Sequence, residues 1–386
     1  DFYETFGQDA VKAAGILNIT LTARNNGGEQ TPLAGFPHHS VNTYLPKLVM
    51  AGCRVAICDQ LEDPKQTKTI VKRGVTELIT PGVALNDGIL EAGSNNFLAA
   101  VHFSPGKGGT FKNSQKIGVS FLDISTGEFL SSEGNAAYVD KLLQNFNPSE
   151  VLFSKQKRKL FSETFGDNYH VFHLEDWVFH KDYALETLHK HFDTKNLKGF
   201  GVDHLEHGTI ASGAALHYLA ETQHNKLKHI TKIARIAEDQ YVWMDRFTIR
   251  NLELYHSHQQ NAVTLLDVID KTISPMGGRM LKRWMALPLK NKEAITRRHE
   301  VVSYLLEHSQ ELDKIQTNTK RIGDLERLIS KVATLKISPR EVVQLKNSLE
   351  AIVPIKQLSQ NSDNPSLALL GEQLELCEDL RSKIKQ

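Results

Sequence analysis

The sequence is poor in cysteine and has no excess of either charge. Its three cysteines, Cys53, Cys58 and Cys377, form neither an even disulfide framework nor a C-x-x-C ligand set, which is typical of a reducing compartment. A formal net charge of +1 does not indicate a uniformly basic nucleic-acid binder. No apolar run approaches the roughly 18 residues that span a bilayer, so no membrane partner is predicted. We therefore expect a cytoplasmic protein.

Sequence signatures of nucleotide and metal sites are missing as well. The chain contains no G-x-x-x-x-G-K-[ST] motif, and the nearest run, residues 106–110, lacks the first glycine and is more typical of a surface loop. No close histidine pair comes with the glutamate of H-E-x-x-H or with a cysteine pair; these pairs are His38 with His39, His189 with His191, His204 with His207 and His256 with His258. We therefore predict no metal site and no cofactor in this chain.

The residues that are present have the composition of a globular protein with more than one core. A chain of 386 residues is too long for one compact domain, and 40% hydrophobic with 24% charged residues excludes collagen-like and disordered chains. Within residues 1–82, apolar residues recur at helical spacing along 3–17 and 42–51, whereas 54–59 and 77–80 have the pattern of short buried strands. This mixture predicts an α/β domain.

The pattern changes twice further along the chain. Residues 83–93 contain Gly, Asn and Asp and are predicted to form a linker. Residues 94–228 alternate strand and helix patterns around a hairpin turn at 125–127, which predicts a sheet with covering helices. From 229 to 386 helical periodicity dominates, as in the apolar stripe of Ile322, Leu325, Leu328, Ile329, Val332 and Leu335. The sequence thus predicts a multi-domain protein with two α/β domains and a mostly α-helical region.

Several separate blocks of the sequence share the order and spacing of one known family. They are DFYETFGQDA (1–10) with ITLTARN (19–25), the stretch 32–64, ITPG (79–82), ASGAALHYLAETQ (211–223), MDRFTIRNLEL (244–254), the stretch 264–289 and DLERL (324–328). With these blocks, essentially the whole chain resembles the bacterial MutS family of DNA mismatch-recognition proteins. The resemblance implies a mismatch-binding domain at 1–82, a ribonuclease-H-like connector domain at 94–228, and the start of a helical core and lever domain at 229–386.

The resemblance also implies a function and a larger assembly. The function is recognition of base–base mismatches and small insertion or deletion loops in duplex DNA, which initiates DNA mismatch repair near the bacterial nucleoid. In the family, a DNA clamp and a P-loop ATPase follow the part that this chain matches, so we expect the numbering to begin and end inside a longer gene product. ATP and Mg²⁺, a homodimer or higher oligomer, and a MutL-type partner are then expected of the full-length protein, whereas this chain is expected to be no enzyme.

Phe2 and Glu4 match the Phe-x-Glu pair with which the family contacts a mismatch. An aromatic ring can wedge between base steps from the minor groove, at an unstacking cost of a few kcal/mol. A mispaired step is easier to deform, which explains how one protein accepts many different mismatches. Glu4 is implied to bond to the wedged base, and it can donate to a purine nitrogen only when it is protonated. We hypothesise that protonation.

Other interpretations of individual residues stay open at this stage. Five cations could touch phosphates or could simply lie on a solvated face: Arg24, Lys65, Lys68, Lys72 and Arg73. A connector of this fold could keep Mg²⁺-dependent nuclease chemistry at Asp123 with Glu128 or Asp140, although a fold does not imply a function. A paralogue working in recombination or as a non-reading subunit is a third alternative, against which the Phe2 and Glu4 match weighs. Residues 274–284 are expected to be a turn that leads into an amphipathic helix.

Overall fold

The first part of the chain forms a small antiparallel sheet, two helices and a separate hairpin. The computed structural model describes residues 2–62, 71–105, 115–223, 227–255, 257, 259 and 262–385. The elements here are β1 (Phe2–Phe6), α1 (Gly7–Leu17), β2 (Thr22–Asn26), β3 (Glu29–Pro37), α2 (Val41–Met50), β4 (Val55–Gln60) and β5 (Arg73–Ile79). The sheet order is β1-β3-β2, and β4 and β5 form a separate two-stranded sheet. An α/β domain was predicted here, and its helix-and-strand mixture is confirmed.

The helix predicted over residues 3–17 is wrong in its first turn. Residues Phe2–Phe6 pair antiparallel with β3, in a register that runs from Phe2 opposite Pro37 to Phe6 opposite Leu33, and helix α1 begins only at Gly7. Phe6 therefore lies on a strand and is exposed rather than buried on a helical stripe. Helical spacing of Phe6 with Ala10 and Ala13 was the misleading signal, because a strand partner distant in sequence decided the backbone conformation.

The second part is a six-stranded mixed sheet with helices on both faces. Its order is β10-β9-β6-β7-β8-β11, formed by β6 (Leu98–Phe103), β7 (Ile117–Asp123), β8 (Glu128–Gly134), β9 (Glu150–Ser154), β10 (Val171–Leu174) and β11 (Ala234–Arg235). Helices α3 (Ala136–Phe146) and α4 (Arg158–Phe165) pack on one face, and α5 (Lys181–Phe192) and α6 (Glu206–Gln223) pack on the other. The hairpin of β7 and β8 was predicted, but β6, which lies inside the sheet between β9 and β7, was not.

The third part is helical, as predicted. Its elements are α7 (Arg246–Asn251), α8 (Leu265–Ile269), α9 (Pro275–Ala286), α10 (Lys292–Glu307), α11 (Ser309–Thr319), α12 (Leu325–Ala333), α13 (Pro339–Gln360), α14 (Pro365–Gln373) and α15 (Glu378–Lys385). Helix α9 starts at the expected turn, with Ser274 as N-cap and a proline in the first turn. The described residues include no helix that is both long and apolar enough to cross a membrane.

The apolar stripe predicted along residues 322–335 is only partly buried. Leu328 lies in a small core with Leu345 and Leu349 of α13, whereas Ile329 and Val332 are exposed. Leu335 falls beyond the last residue of α12 and has a φ of 59°, so it leaves the helical face altogether. Helical spacing identified this helix correctly, but one neighbouring helix covers only one side of the stripe.

The segment between β5 and β6 is packed into the protein. Residues 83–93, all of them described, contain no helix or strand, yet Val83 and Leu85 are part of the core of the second region and Ala84 is part of the core of the first. Just before them, Thr80 donates through its hydroxyl, and Gly82 through its backbone N–H, to the buried carboxylate of Glu150 on β9. The first two regions are thereby joined through buried contacts.

Two buried arginines join the helical region to the same segment. Arg279 on α9 is 4% exposed and donates to both carboxylate oxygens of Asp324 at 2.7 Å, to Glu326 at 2.6 Å and to the carbonyl of Ala92 at 2.9 Å. Arg327 on α12 donates to the carbonyls of residues 91 and 94, both at 2.8 Å. Charged side chains are rarely buried unless they are paired, and planar bidentate pairing favours arginine. We call this group the junction arginines.

Candidate nucleic-acid interface

Strand β1 presents Phe2 and Glu4 on the same outer face of the first sheet. Side chains alternate between the two faces of a strand, so Phe2, Glu4 and Phe6 point outward while Tyr3 and Thr5 point inward. Phe2 is 62% exposed, although large apolar side chains are usually buried. Glu4 is exposed on the same face. The two residues selected from the sequence therefore lie together on an accessible surface.

Phe2 and Glu4 also line one shared groove. The groove has a volume of about 420 Å³ and is open to solvent. Its walls come from the end of α1, the start of β2 and the middle of β3, with Asn18, Ile19, Thr20, Thr22, Leu33 and Gly35 as the remaining lining residues. Apolar and hydrogen-bonding groups thus surround the aromatic ring and the carboxylate.

Glu4 makes an ion pair across the sheet with a cation that the sequence had suggested. The Arg24 Nη1 on β2 lies 3.6 Å from the Glu4 carboxylate, although β3 separates β1 from β2. Gly35 of β3 lies directly opposite Glu4 and has no side chain. A Cβ at Gly35 would lie 2.7 Å from the Tyr3 carbonyl oxygen and 3.3 Å from the Glu4 Cγ. Both charges are partly exposed, so the pair itself contributes at most about 1 kcal/mol.

Tyr3, between Phe2 and Glu4, is bonded on the inner face. Its hydroxyl donates to Asp59 on β4 at 2.6 Å, and Thr76 on β5 donates to the other oxygen of the same carboxylate at 2.6 Å. The bond to Asp59, together with burial, raises the pKa of Tyr3 to about 12. The Tyr3 ring contacts Phe36 in the core, with 6.2 Å between ring centroids. Sequence reasoning missed Tyr3 and Asp59, because residues 56 positions apart carry no local signal of contact.

The structure shows no contact between Glu4 and the other suggested phosphate-binding cations that it describes, Lys72 and Arg73. Lys72 forms an exposed ion pair with Glu62 at 3.6 Å. Arg73 is exposed at the start of β5. Lys65 and Lys68 lie outside the described residues. Of the three suggested cations that the structure describes, Arg24 is the one that contacts Glu4.

The acidic residues suggested for a nuclease form hydrogen bonds and an ion pair with other residues of the protein. Asp123, fully buried at the end of β7, accepts from the backbone and hydroxyl of Ser125 and from Asn95 and Asn96. Glu128 forms an ion pair with Arg283 of α9, and Asp140 accepts from Gln144 at 2.6 Å. No group of three or more His, Cys, Asp and Glu side chains that could hold a metal occurs in the part of the chain that the structure describes. These acids bond within the domain or to the helical region.

The histidine pairs form no group of metal ligands among the described residues. His38 and His39 are exposed neighbours, and burial is the main cause that lowers the pKa of His191 and His207. Residues 106–110 and the pair His256 with His258 lie outside the described residues. All three cysteines are free thiols.

Comparison with known proteins finds one family along nearly the whole chain. The sequence matches MutS domain I over residues 1–88, MutS domain II over 96–231 and MutS domain III over 247–386. Similar proteins include the DNA mismatch repair protein MutS of Christiangramia forsetii (67% identical over 386 residues), of Flavobacterium psychrophilum (65% over 386) and of Bacteroides fragilis (57% over 387). Each alignment covers 100% of this chain but only 43–44% of the relative. The chain thus spans less than half the length of these relatives.

Proposed function

Because this chain belongs to the MutS family, we propose that it recognises base–base mismatches and small insertion or deletion loops in duplex DNA and so initiates mismatch repair. Phe2 is the wedge that enters the duplex at the mispaired step, and Glu4 bonds to the wedged base. The single observation that carries this proposal is the placement of an exposed aromatic ring and a carboxylate on one face of β1, in one groove.

The exposure of Phe2 supports its role as a wedge. Leaving a phenylalanine in water sacrifices the roughly 1.5–3 kcal/mol that burying it would contribute, so the position is costly unless a ligand covers it. A ring inserted between base steps recovers that burial, while unstacking costs a few kcal/mol and costs least at a mispaired base. Preference for mismatches therefore arises from DNA deformability rather than from a base code.

The ion pair with Arg24 supports an exchange in which Glu4 leaves Arg24 and bonds to the wedged base when DNA binds. In the free protein the Glu4 carboxylate is 3.6 Å from the Arg24 guanidinium. Duplex DNA brings phosphates that compete for the guanidinium, since arginine binds phosphate in the same bidentate manner as carboxylate. Glu4 then faces the base beside polyanionic DNA and takes up a proton, which allows it to donate to a purine acceptor.

Glu4→Gln tests this protonation. Binding that takes up one proton weakens by up to about tenfold per pH unit on the alkaline side. An amide donates at every pH. We therefore expect wild-type affinity for a purine-containing mispair to fall as pH rises, and the variant to show a flat profile in titrations of labelled duplex. Glu62→Gln, a carboxylate change in the same domain, should keep the wild-type profile; an identical slope in Glu4→Gln and wild type would refute the protonation.

The remaining activities are proposed for a full-length protein that contains this chain. We propose that it binds and slowly hydrolyses ATP with Mg²⁺, forms homodimers or higher oligomers and contacts a MutL-type partner. The 386-residue sequence contains no P-loop signature, so the chain itself is proposed to act as a DNA-contacting part and not as an enzyme. No observation favours the nuclease or the recombination paralogue.

The test of the function is a titration of the chain and of the full-length protein with three duplexes. One is matched, one carries a G·T mispair and one carries an unpaired T. We expect the full-length protein to prefer the latter two. Equal affinity of the full-length protein for all three would overturn the proposed function.

A further inference from the structure

Phe2 lies on a strand at the edge of the first sheet. Its side chain is largely exposed, and β1 is a five-residue strand that pairs with β3. Driving a ring into a base stack meets a resistance of a few kcal/mol. If the backbone of β1 were flexible, the strand would bend and the Phe2 ring would not separate the stacked bases. The restraint on Phe2 must therefore come from neighbouring residues of β1.

Tyr3 is the residue placed to supply that restraint. It lies one residue from Phe2, about 3.8 Å along the backbone, and points to the opposite face of the sheet. Its hydroxyl is 2.6 Å from Asp59, and its ring lies against Phe36, which stacks in turn on Tyr44. A hydrogen bond to an ionised acceptor is roughly twice as strong as a neutral one. Tyr3 thus ties the strand that carries Phe2 to the core and to β4.

Asp59 and its hairpin are themselves fixed by contacts with the rest of the protein. Thr76 donates to its second oxygen, so both carboxylate oxygens are bonded. The next residue on β5, Glu77, forms an ion pair with Lys336 of the helical region, and Ile79 at the end of β5 is buried in a core with Leu45 and Val49. The hairpin that carries Asp59 is therefore fixed at its back to the bulk of the molecule.

We propose that Tyr3 and Asp59 form a positioning pair that transmits the resistance of the duplex from Phe2 to the β4–β5 hairpin. This inference rests on the proposed function. Neither residue touches DNA in this proposal: Tyr3 points away from the groove, and Asp59 lies on another sheet. The pair keeps Phe2 rigid enough to unstack the bases at a mispaired step. It therefore affects discrimination between mispaired and matched duplex more than affinity for DNA in general.

The test is Tyr3→Phe in the full-length protein, with Tyr44→Phe as the matched control. Tyr44 is a tyrosine of the same core, and no hydrogen bond of its hydroxyl occurs among the described residues. We expect Tyr3→Phe to lower the ratio of affinities for G·T over matched duplex by about tenfold, because one bond to a charged group is lost. Tyr44→Phe should leave the ratio within about twofold. Thermal unfolding checks that both variants fold.

The partner residue provides a second, independent measurement. Asp59→Ala should lower the ratio of affinities for G·T over matched duplex as far as Tyr3→Phe does. Asp59→Asn keeps an oxygen acceptor for the Tyr3 hydroxyl, so its affinity ratio should stay close to that of the wild type. A folded Tyr3→Phe protein with an unchanged ratio, or with equal losses on both duplexes, overturns the positioning pair. That failure is distinct from failure of the proposed function, because loss of preference in Phe2→Ala reports on the wedge alone.

Discussion

Phe2→Ala is expected to abolish the preference of the full-length protein for mispaired duplex while leaving its affinity for matched duplex nearly unchanged. The alanine methyl group cannot stack on a base, and stacking of one base on an aromatic side chain contributes about 1–3 kcal/mol. The affinity ratio for a G·T or unpaired-T duplex over a matched duplex should therefore fall by about 5-fold to 150-fold. Parallel titrations of the three duplexes measure it.

Phe6→Ala is the matched control for that experiment. Phe6 is on the same strand and the same outer face as Phe2 and is 46% exposed, but it is absent from the groove that Phe2 and Glu4 line. Losing it removes a similar apolar area from the surface without removing the wedge. The ratio for Phe6→Ala should stay within about twofold of wild type. If Phe2→Ala still preferred the mispair, the assignment of the wedge would be wrong.

Arg279→Ala is expected to lower the free energy of unfolding of the helical region by about 3 kcal/mol, the low end of the range for removing one partner of a buried ion pair, because Glu326 is partly exposed and Asp324 keeps Arg327 at 3.8 Å. Asp324 and Glu326 would lose their bonds to the guanidinium, and the Ala92 carbonyl would lose its donor. Arg279→Lys should restore only part of the loss, because an ammonium cannot reproduce the bidentate geometry. Urea midpoints, with hydrogen exchange followed on α9 and α12, measure the effect.

The control for the junction arginines is Arg298→Ala. Arg298 on α10 lies over the Trp284 ring at 3.7 Å, and its exposed guanidinium is worth about 0.5–1 kcal/mol there. The two variants remove the same side chain from the same helical region and differ in burial. A loss below about 1 kcal/mol in Arg279→Ala, equal to that of the control, would mean that the junction does not hold the segment between β5 and β6.

Much of the local structure followed from periodicity and end signals. Residues 274–284 predicted a turn that leads into a helix, and α9 starts there with Ser274 as its N-cap. The turn at 125–127 predicted the β7–β8 hairpin. These predictions succeeded because the interactions that stabilise a helix end or a tight turn lie within a few residues. The domain boundaries at 82, 93 and 228 stay predictions.

The sequence-based predictions failed for two strands, β1 and β6, whose partners lie far away in the chain. Residues 2–6 have a spacing compatible with a helix but become a strand because β3 pairs with them. Strand β6 went unnoticed because its run of apolar residues, buried on both faces, shows no alternation. In both cases the deciding partner is far away in the chain, and strand preference depends on that partner more than on the strand itself.

By itself, the sequence determined the family, the order of α/β and helical parts, and the two residues of the proposed contact, Phe2 and Glu4. Motif order and local periodicity are properties of the chain alone. Only the tertiary structure decided that these two side chains share an open face, that Arg24 reaches Glu4 across β3, and that Tyr3 is held by Asp59. Hydrogen bonds and ion pairs act over a few ångströms, so they depend on which distant segments the fold brings together.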